Sequence, residues 1–244
     1  MRHLGRRVTA EAVGTAFLVA AVIGSGIAAT RLSPGQVGLQ LLENALITGA
    51  ALVALILALQ PVSAAFNPVV TLVERALGAV TTTEAVALIG GQVLGGAIGA
   101  VVANLMFSLP AVTIATTGRT GPGRWLGEVV ATTGLLLVIF GTSRTGRADR
   151  VAYAVGGYIT AAYWFTSSTS FANPAVTIAR MLSDTFAGIA PSSAPMFIAM
   201  QLLGGTTAYL LIRALFPEPT RVAADLVGTD VTAVDDLTSR IERR

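Results

Sequence analysis

The 244-residue chain contains no cysteine, no lysine and one histidine, and 12% of its residues are charged. Without cysteine, disulfides, thiolate metal sites and cysteine nucleophiles are excluded. His3 lies in a polar N-terminal arm, which makes histidine-based catalysis implausible. We therefore expect no enzyme activity, no metal site and no cofactor.

Apolar residues make up 53% of the chain, whereas its charged fraction lies well below the roughly one quarter that soluble domains carry. This composition predicts a protein of the lipid bilayer. The net charge of +3 comes from arginines in loops and tails, as the positive-inside rule requires. Nucleic-acid binding would need basic residues clustered on one exposed face, so we expect no nucleic-acid partner.

Eight apolar stretches follow one another along the chain. Two of them, beginning at Asn67 and Asn173, hold only about ten residues, too few to cross ~30 Å of hydrocarbon at 1.5 Å per residue. These two are predicted half-helices. The first long run opens with Glu11 and continues for a spanning length without an obvious cleavage site, which indicates a retained helix rather than a signal peptide. The six predicted spans are 11–29, 41–60, 84–107, 125–143, 150–166 and 194–216.

The arginine distribution predicts the orientation. With both termini in the cytoplasm, twelve of the sixteen arginines lie inside, and four, Arg31, Arg119, Arg124 and Arg180, lie outside. The sequence thus favours a multi-pass membrane protein with both termini in the cytoplasm. We divide it into a membrane domain, 1–216, and a polar C-terminal tail, 217–244.

The two halves of the membrane domain resemble each other. Each half reads span, span, half-helix, span, with repeat 1 at about 11–107 and repeat 2 at about 125–216. Because each half crosses the membrane an odd number of times, the second copy is inverted. The matching strings are Glu11-Ala-Val-Gly-Thr with Glu128-Val-Val-Ala-Thr, Asn67-Pro-Val-Val-Thr with Asn173-Pro-Ala-Val-Thr, and the segments around Gln92 and Gln201.

Two of the four asparagines directly precede proline, each at the start of a predicted half-helix. Asparagine is a preferred N-cap, and proline is well tolerated at the first helical position. Asn67 and Asn173 therefore predict two helices whose positive ends meet near the midplane, where they repel cations while the amides donate to neutral solutes. The alternative, two ordinary helix starts in interfacial loops, leaves the repeat unexplained.

With these Asn-Pro boxes the chain resembles the major intrinsic protein family, the aquaporins and aquaglyceroporins, over about residues 10 to 216. The resemblance implies an all-α membrane protein with six transmembrane helices and two re-entrant half-helices. It also implies a homotetramer with one pore per subunit and passive conduction of small neutral solutes. The central constriction then corresponds to Asn67, Pro68, Val69, Asn173, Pro174 and Ala175, with valine replacing alanine in the first box.

The outer filter departs further from the family pattern. Val176 occupies the position that is arginine in most members, which predicts a wider constriction. An open alternative is that Arg180, one helical turn later, reaches back to the filter. The resemblance assigns the other filter positions to Thr48, to Thr160 or Ala161, and to Ser170 as a backbone contributor.

The widened filter predicts passage of solutes larger than water. The stretch from Asn173 to Ile189 is similar to a bacterial subgroup associated with arsenic resistance, which suggests neutral arsenite or methylated arsenicals beside glycerol, other polyols and water. A water-selective aquaporin is the alternative. A membrane protein with an occluded pore is a further one.

Buried carboxyl groups leave a third alternative open. Glu11 and Glu128 could be the titrating groups of a proton-coupled secondary transporter, because carboxylates inside a membrane are by default functional. Their matching positions, together with the family resemblance, instead favour a structural role, in which they accept hydrogen bonds from the non-helical backbone that leads into each half-helix. Gln92 and Gln201 are predicted to bridge helices. Thr71 and Thr177 could either line the pore or bond within their own helices.

Overall fold

The computed structural model describes residues 2–144 and 146–216, except for the side chain of Arg2; the predicted tail, 217–244, lies outside them. Over these residues the chain is helical and contains no strand. A short 3₁₀ turn, Ala148–Arg150, leads into the sixth helix. The eight α-helices are α1 (Arg2–Leu32), α2 (Val37–Leu59), α3 (Pro68–Ala76), α4 (Thr82–Met106), α5 (Pro122–Arg144), α6 (Val151–Phe165), α7 (Pro174–Arg180) and α8 (Ala194–Leu215).

Each predicted span contains one long helix. Five of these, α1, α2, α4, α5 and α8, are long and apolar enough to cross a membrane. Helix α6 has 15 residues and reaches about 22 Å, and the 3₁₀ turn before it extends this segment. Helix α1 begins at Arg2 rather than at the predicted residue 11. The polar arm is helical, and Arg7 within it pairs with Glu84 of α4 at 3.2 Å.

Helices α1 to α4 and α5 to α8 repeat one order: two long helices, a short one and a long one. Within the repeats α1 packs on α4 and α5 on α8, while α2 packs on α6 and α3 meets α7 between the repeats. We call the side on which α1 begins the N-terminal face. Alternating crossings then direct α3 from the centre toward the N-terminal face, and α7 toward the opposite face.

Small residues permit the closest helix contacts. A Cβ atom on Gly95 or Gly99 of α4 would overlap the backbone oxygens of Ala12 and Ala16 on α1. Between the repeats, a Cβ on Gly49 of α2 would overlap Thr160 and lie 2.8 Å from the Gly156 oxygen of α6. These glycines bring backbones together as in other membrane helix pairs and fix the register of helices that surround the centre.

We predict that Gly95→Ala lowers the melting temperature of the detergent-solubilised protein, because α1 and α4 must separate to admit the methyl group. Overpacking of this kind destabilises by about 1–3 kcal/mol. Gly90→Ala is the matched control, since a Cβ there has no atom within 4 Å. Equal melting temperatures of the two variants would contradict the close α1–α4 contact.

Candidate pore

The two Asn-Pro boxes form the N-termini of the half-helices. The Asn67 Oδ1 accepts a hydrogen bond from the Val69 N–H at 3.0 Å, and Pro68 occupies the first position of α3. Asn173 repeats this arrangement in α7, accepting from the N–H groups of Ala175 at 3.0 Å and Val176 at 3.2 Å. Both short helices thus begin with a satisfied cap inside the protein.

The same two side chains tie the half-helix tips together. The Asn67 amide donates to the Ala172 carbonyl at 2.8 Å, and the Asn173 amide donates to the Phe66 carbonyl at 2.7 Å. Each of these carbonyls belongs to the residue that precedes the other box. A primary amide has two N–H groups, so each asparagine keeps one further donor. Both asparagines line a cavity, into which that donor can point.

The backbone that enters each box adopts a conformation rare for residues with a side chain. Phe66 has a φ of 49° and Ala172 a φ of 48°, and Thr169 and Ser170 also lie in the left-handed region. Such geometry costs of the order of 1–3 kcal/mol per residue and persists where neighbours enforce it. It turns the Phe66 and Ala172 carbonyls toward the asparagines that bind them.

Glu11 holds the first of these approaches in place. Its carboxylate accepts hydrogen bonds from the Ser63 hydroxyl at 2.6 Å, the Ala65 N–H at 2.9 Å and the Phe66 N–H at 2.7 Å. The Gln92 amide adds a fourth at 2.8 Å, and the glutamate side chain is fully buried. These backbone N–H groups lie outside any helix, so the carboxylate supplies the acceptor they lack.

Glu128 makes the equivalent contacts in the second repeat. It accepts from the N–H groups of Phe171 and Ala172, both at 2.9 Å, and from the Gln201 amide at 2.6 Å. Gln201 also donates to the Thr177 hydroxyl at 2.9 Å. In the first repeat Gln92 donates to Thr71 at 3.0 Å in the same way. Both threonines are fully buried and do not belong to the cavity lining, which answers the question left open by the sequence.

A cavity runs beside the joined tips. Its volume is about 90 Å³, and a water molecule needs about 10–15 Å³ on the same measure, so a short file of waters fits. Apolar side chains from equivalent positions of both repeats form much of its wall, and α2 and α6 contribute at four-residue intervals. The wall residues from the long helices are Arg7, Leu18, Val22, Thr48, Leu52, Ile56, Leu135, Ile139, Val151, Val155, Ile159 and Tyr163.

Three of the predicted filter residues line this cavity. Thr48 does so with its hydroxyl 3.2 Å from the Tyr163 hydroxyl, and Val176 lies on α7 one turn after Asn173. Ser170 lies in the approach to the second box, and its buried hydroxyl oxygen has no hydrogen-bond partner among the described residues. A hydroxyl without a partner at the wall is available to a solute.

The fifth-span filter position differs from the sequence estimate. The Thr160 hydroxyl donates to the Gly156 carbonyl at 2.8 Å and lies at the contact of α2 with α6, while Ala161 is exposed. The wall residues there are Ile159 and Tyr163. Sequence reasoning missed Tyr163, although a four-residue spacing from Val151 through Val155 and Ile159 leads to it.

Arg180 brings a cation to the end of the cavity on the opposite face. Its side chain is 2% exposed and lines the cavity, its guanidinium lies 3.4 Å from the centre of the Phe171 ring, and its Nε donates to the Ala187 carbonyl. The guanidinium of Arg119 lies 5.1 Å from the same ring. Burial, with a contribution from Arg124, lowers the pKa of Arg119 to about 10, so Arg119 remains charged at neutral pH. The cation missing at Val176 is therefore present one turn further along α7.

Comparison with known families agrees with this geometry. The description of the major intrinsic protein family matches residues 2–166 and 142–241. The chain belongs to that family. Among its relatives, Aquaglyceroporin AqpS of Rhizobium meliloti (strain 1021) is 48% identical over 219 residues, covering 89% of this chain and 93% of the relative. The family membership makes this chain a membrane channel.

The fold of this major intrinsic protein is similar to the X-ray structure of the aquaglyceroporin from Plasmodium falciparum. The TM-score is 0.67 with 18% identity, and the match covers 88% of this chain and 98% of that one. The all-α fold predicted from the sequence, with six membrane helices and two half-helices in an inverted repeat, is confirmed.

We predict that Glu11→Gln lowers the yield of folded protein and its melting temperature, because an amide offers one acceptor oxygen where the carboxylate offers two. Each buried N–H that loses its acceptor destabilises the fold by about 1–3 kcal/mol. Glu43→Gln is the control, since the Glu43 carboxylate accepts one hydrogen bond, from Ser33 at the end of α1. A melting temperature for Glu11→Gln equal to that of the control would contradict the supporting role.

Proposed function

We propose that this protein is a passive channel for small uncharged solutes that carry hydroxyl groups, and that it excludes ions. The observation that carries the proposal is the pair of half-helix tips joined by the Asn67 and Asn173 amides beside a cavity that fits a short file of waters. Nothing is chemically transformed. The solute moves down its own gradient.

The tips act through charge and hydrogen bonding together. Each half-helix directs its positive end at the centre of the cavity, which raises the energy of a cation there. The free amide N–H groups of Asn67 and Asn173 donate to the oxygen of a passing hydroxylated solute. The apolar wall opposite them replaces none of an ion's hydration, so an ion loses more than a neutral solute does.

The filter residues support solutes wider than water. Val176 has no charge and no donor, Thr48 is small, and Thr48, Tyr163 and Ser170 offer hydroxyl groups to a polyol. The named relative is an aquaglyceroporin, which favours glycerol-like cargo. The similarity of the stretch from Asn173 to Ile189 to channels associated with arsenic resistance adds neutral arsenite and methylated arsenicals as candidate cargo.

We further propose a bacterial inner-membrane location with both termini in the cytoplasm, which makes the N-terminal face cytoplasmic. The arginine distribution supports this orientation. A homotetramer with one pore per subunit is proposed on the family resemblance. Large apolar side chains on the outer surface, such as Leu46 at 54% and Ile98 at 49% exposed, suit contact with lipid or with another subunit. Residues 1–216 then form the channel domain and 217–244 its polar tail.

A proton-coupled transporter using Glu11 or Glu128 is disfavoured by their contacts. Neither carboxylate belongs to the cavity lining, and both accept hydrogen bonds that hold the backbone of a box. A proton on either group would remove acceptors from that backbone.

Flux through proteoliposomes tests the proposal. Stopped-flow light scattering follows vesicles challenged with sorbitol, glycerol or arsenite, without any proton gradient. We expect water and glycerol permeabilities above those of protein-free vesicles. Water flux alone would establish a water-selective aquaporin, absence of both would establish an occluded pore, and uptake that requires a proton gradient would establish a transporter.

We predict that Val176→Arg lowers glycerol permeability at least about tenfold relative to water permeability, a change equivalent to about 1.4 kcal/mol in the barrier. The long cationic side chain would narrow the filter, and the wider solute is affected more. Val176→Leu is the control, because it adds bulk without charge or donors. An equal reduction for both solutes in Val176→Arg would show that residue 176 does not act in the filter.

A further inference from the structure

The two half-helices carry opposite charges at equivalent positions. On α3 the cavity is lined by Asn67, Val70 and Glu74, and on α7 it is lined by Asn173, Val176 and Arg180. Each set occupies positions i, i+3 and i+7, which share one helix face. The inverted repeat therefore sets a carboxylate toward the N-terminal face and a guanidinium toward the opposite face.

No described residue forms an ion pair with the Glu74 carboxylate. Its side chain is 7% exposed, and the carboxylate makes no hydrogen bond or salt bridge to any residue that the structure describes. The charged residues near Glu74 make their contacts with other groups. Arg7, which also lines the cavity, is paired with Glu84 at 3.2 Å, and Glu11 holds the backbone of the first box. The Glu74 carboxylate is thus a buried polar group that faces the cavity.

The rest of the pore favours anions. The positive ends of both half-helices meet at its centre, and Arg180 lines its far end beside Arg119. These groups repel cations, but the same field attracts an anion into the pore. Among the described lining residues, Glu74 is the only carboxylate that could oppose that attraction.

We propose that Glu74 is the anion barrier of the channel, a residue that determines specificity by repelling negatively charged solutes at the N-terminal face. This proposal rests on the proposed channel function. A weak acid with hydroxyl groups then passes in its neutral form, which the asparagines bind, and its conjugate anion is rejected beside Glu74. Cations are rejected at the centre and by Arg180, so the two signs of charge meet separate barriers.

The experiment compares chloride with glycerol in the same proteoliposomes. A chloride-sensitive dye reports chloride entry, with valinomycin and potassium to compensate charge, and light scattering reports glycerol entry. The buffer is held near pH 9 so that Glu74 is ionised. The readout is the ratio of chloride to glycerol permeability.

Glu74→Gln is expected to raise that ratio at least about tenfold, and Glu74→Asp, which keeps the charge, is expected to stay close to the unaltered protein. Glu43→Gln is the matched control, because it removes one negative charge from a residue that does not line the cavity. We expect its ratio to be unchanged. If Glu74→Gln does not fold, Glu74→Ala provides the same comparison.

A ratio that stays unchanged in whichever neutral variant folds would overturn the anion barrier. So would a chloride permeability of the unaltered protein as high as that of Glu74→Gln. Failure of the channel function itself has a different signature, namely glycerol permeability of the unaltered protein no greater than that of protein-free vesicles. The two failures are therefore distinguishable in one preparation.

Discussion

The structure depends on satisfying the backbone N–H groups of two helices that begin in the middle of a bilayer. Lipid offers no acceptor, so each acceptor must come from the protein. Asn67 and Asn173 cap the helices themselves, and Glu11 and Glu128 accept from the left-handed segments that lead into them. The buried carboxylates, which in isolation suggest chemistry, here replace the missing hydrogen-bond partners of the chain.

The inverted repeat places two such capped half-helices end to end and so forms a pore. Each box occurs twice in opposite orientation, so two capped tips meet and the wall residues of α1 and α5 recur at equivalent positions, seven and eleven residues after Glu11 and Glu128. Some equivalent positions nevertheless carry different side chains. Glu74 and Arg180 are equivalent in position and opposite in charge, which gives the pore two different ends on a symmetric frame.

Much of this could be predicted from the sequence, because caps, prolines and hydrophobic length are local signals. The half-helices at Asn67 and Asn173 followed from them directly, and the internal repeat showed that Glu11 and Glu128 occupy equivalent positions. The fifth-span filter position could not be predicted, since the Gly49–Gly156 contact sets the rotation of α6 and directs Tyr163, not Thr160, to the cavity. Nor could the direction of Arg180, which depends on the tertiary neighbours Phe171 and Ala187.

The two reciprocal hydrogen bonds between the half-helix tips also constrain the order in which the chain folds during synthesis. The Phe66 carbonyl accepts from the Asn173 amide, which is synthesised more than a hundred residues later, and the Asn67 amide donates to the equally late Ala172 carbonyl. Neither hydrogen bond can form until the second box has been made. While the ribosome is still making the second repeat, the first tip has no permanent partner. The first repeat therefore reaches its final structure only in the last stage of biogenesis. A truncated chain that ends before the second box would lack the hydrogen bonds that join the first half-helix tip to the second.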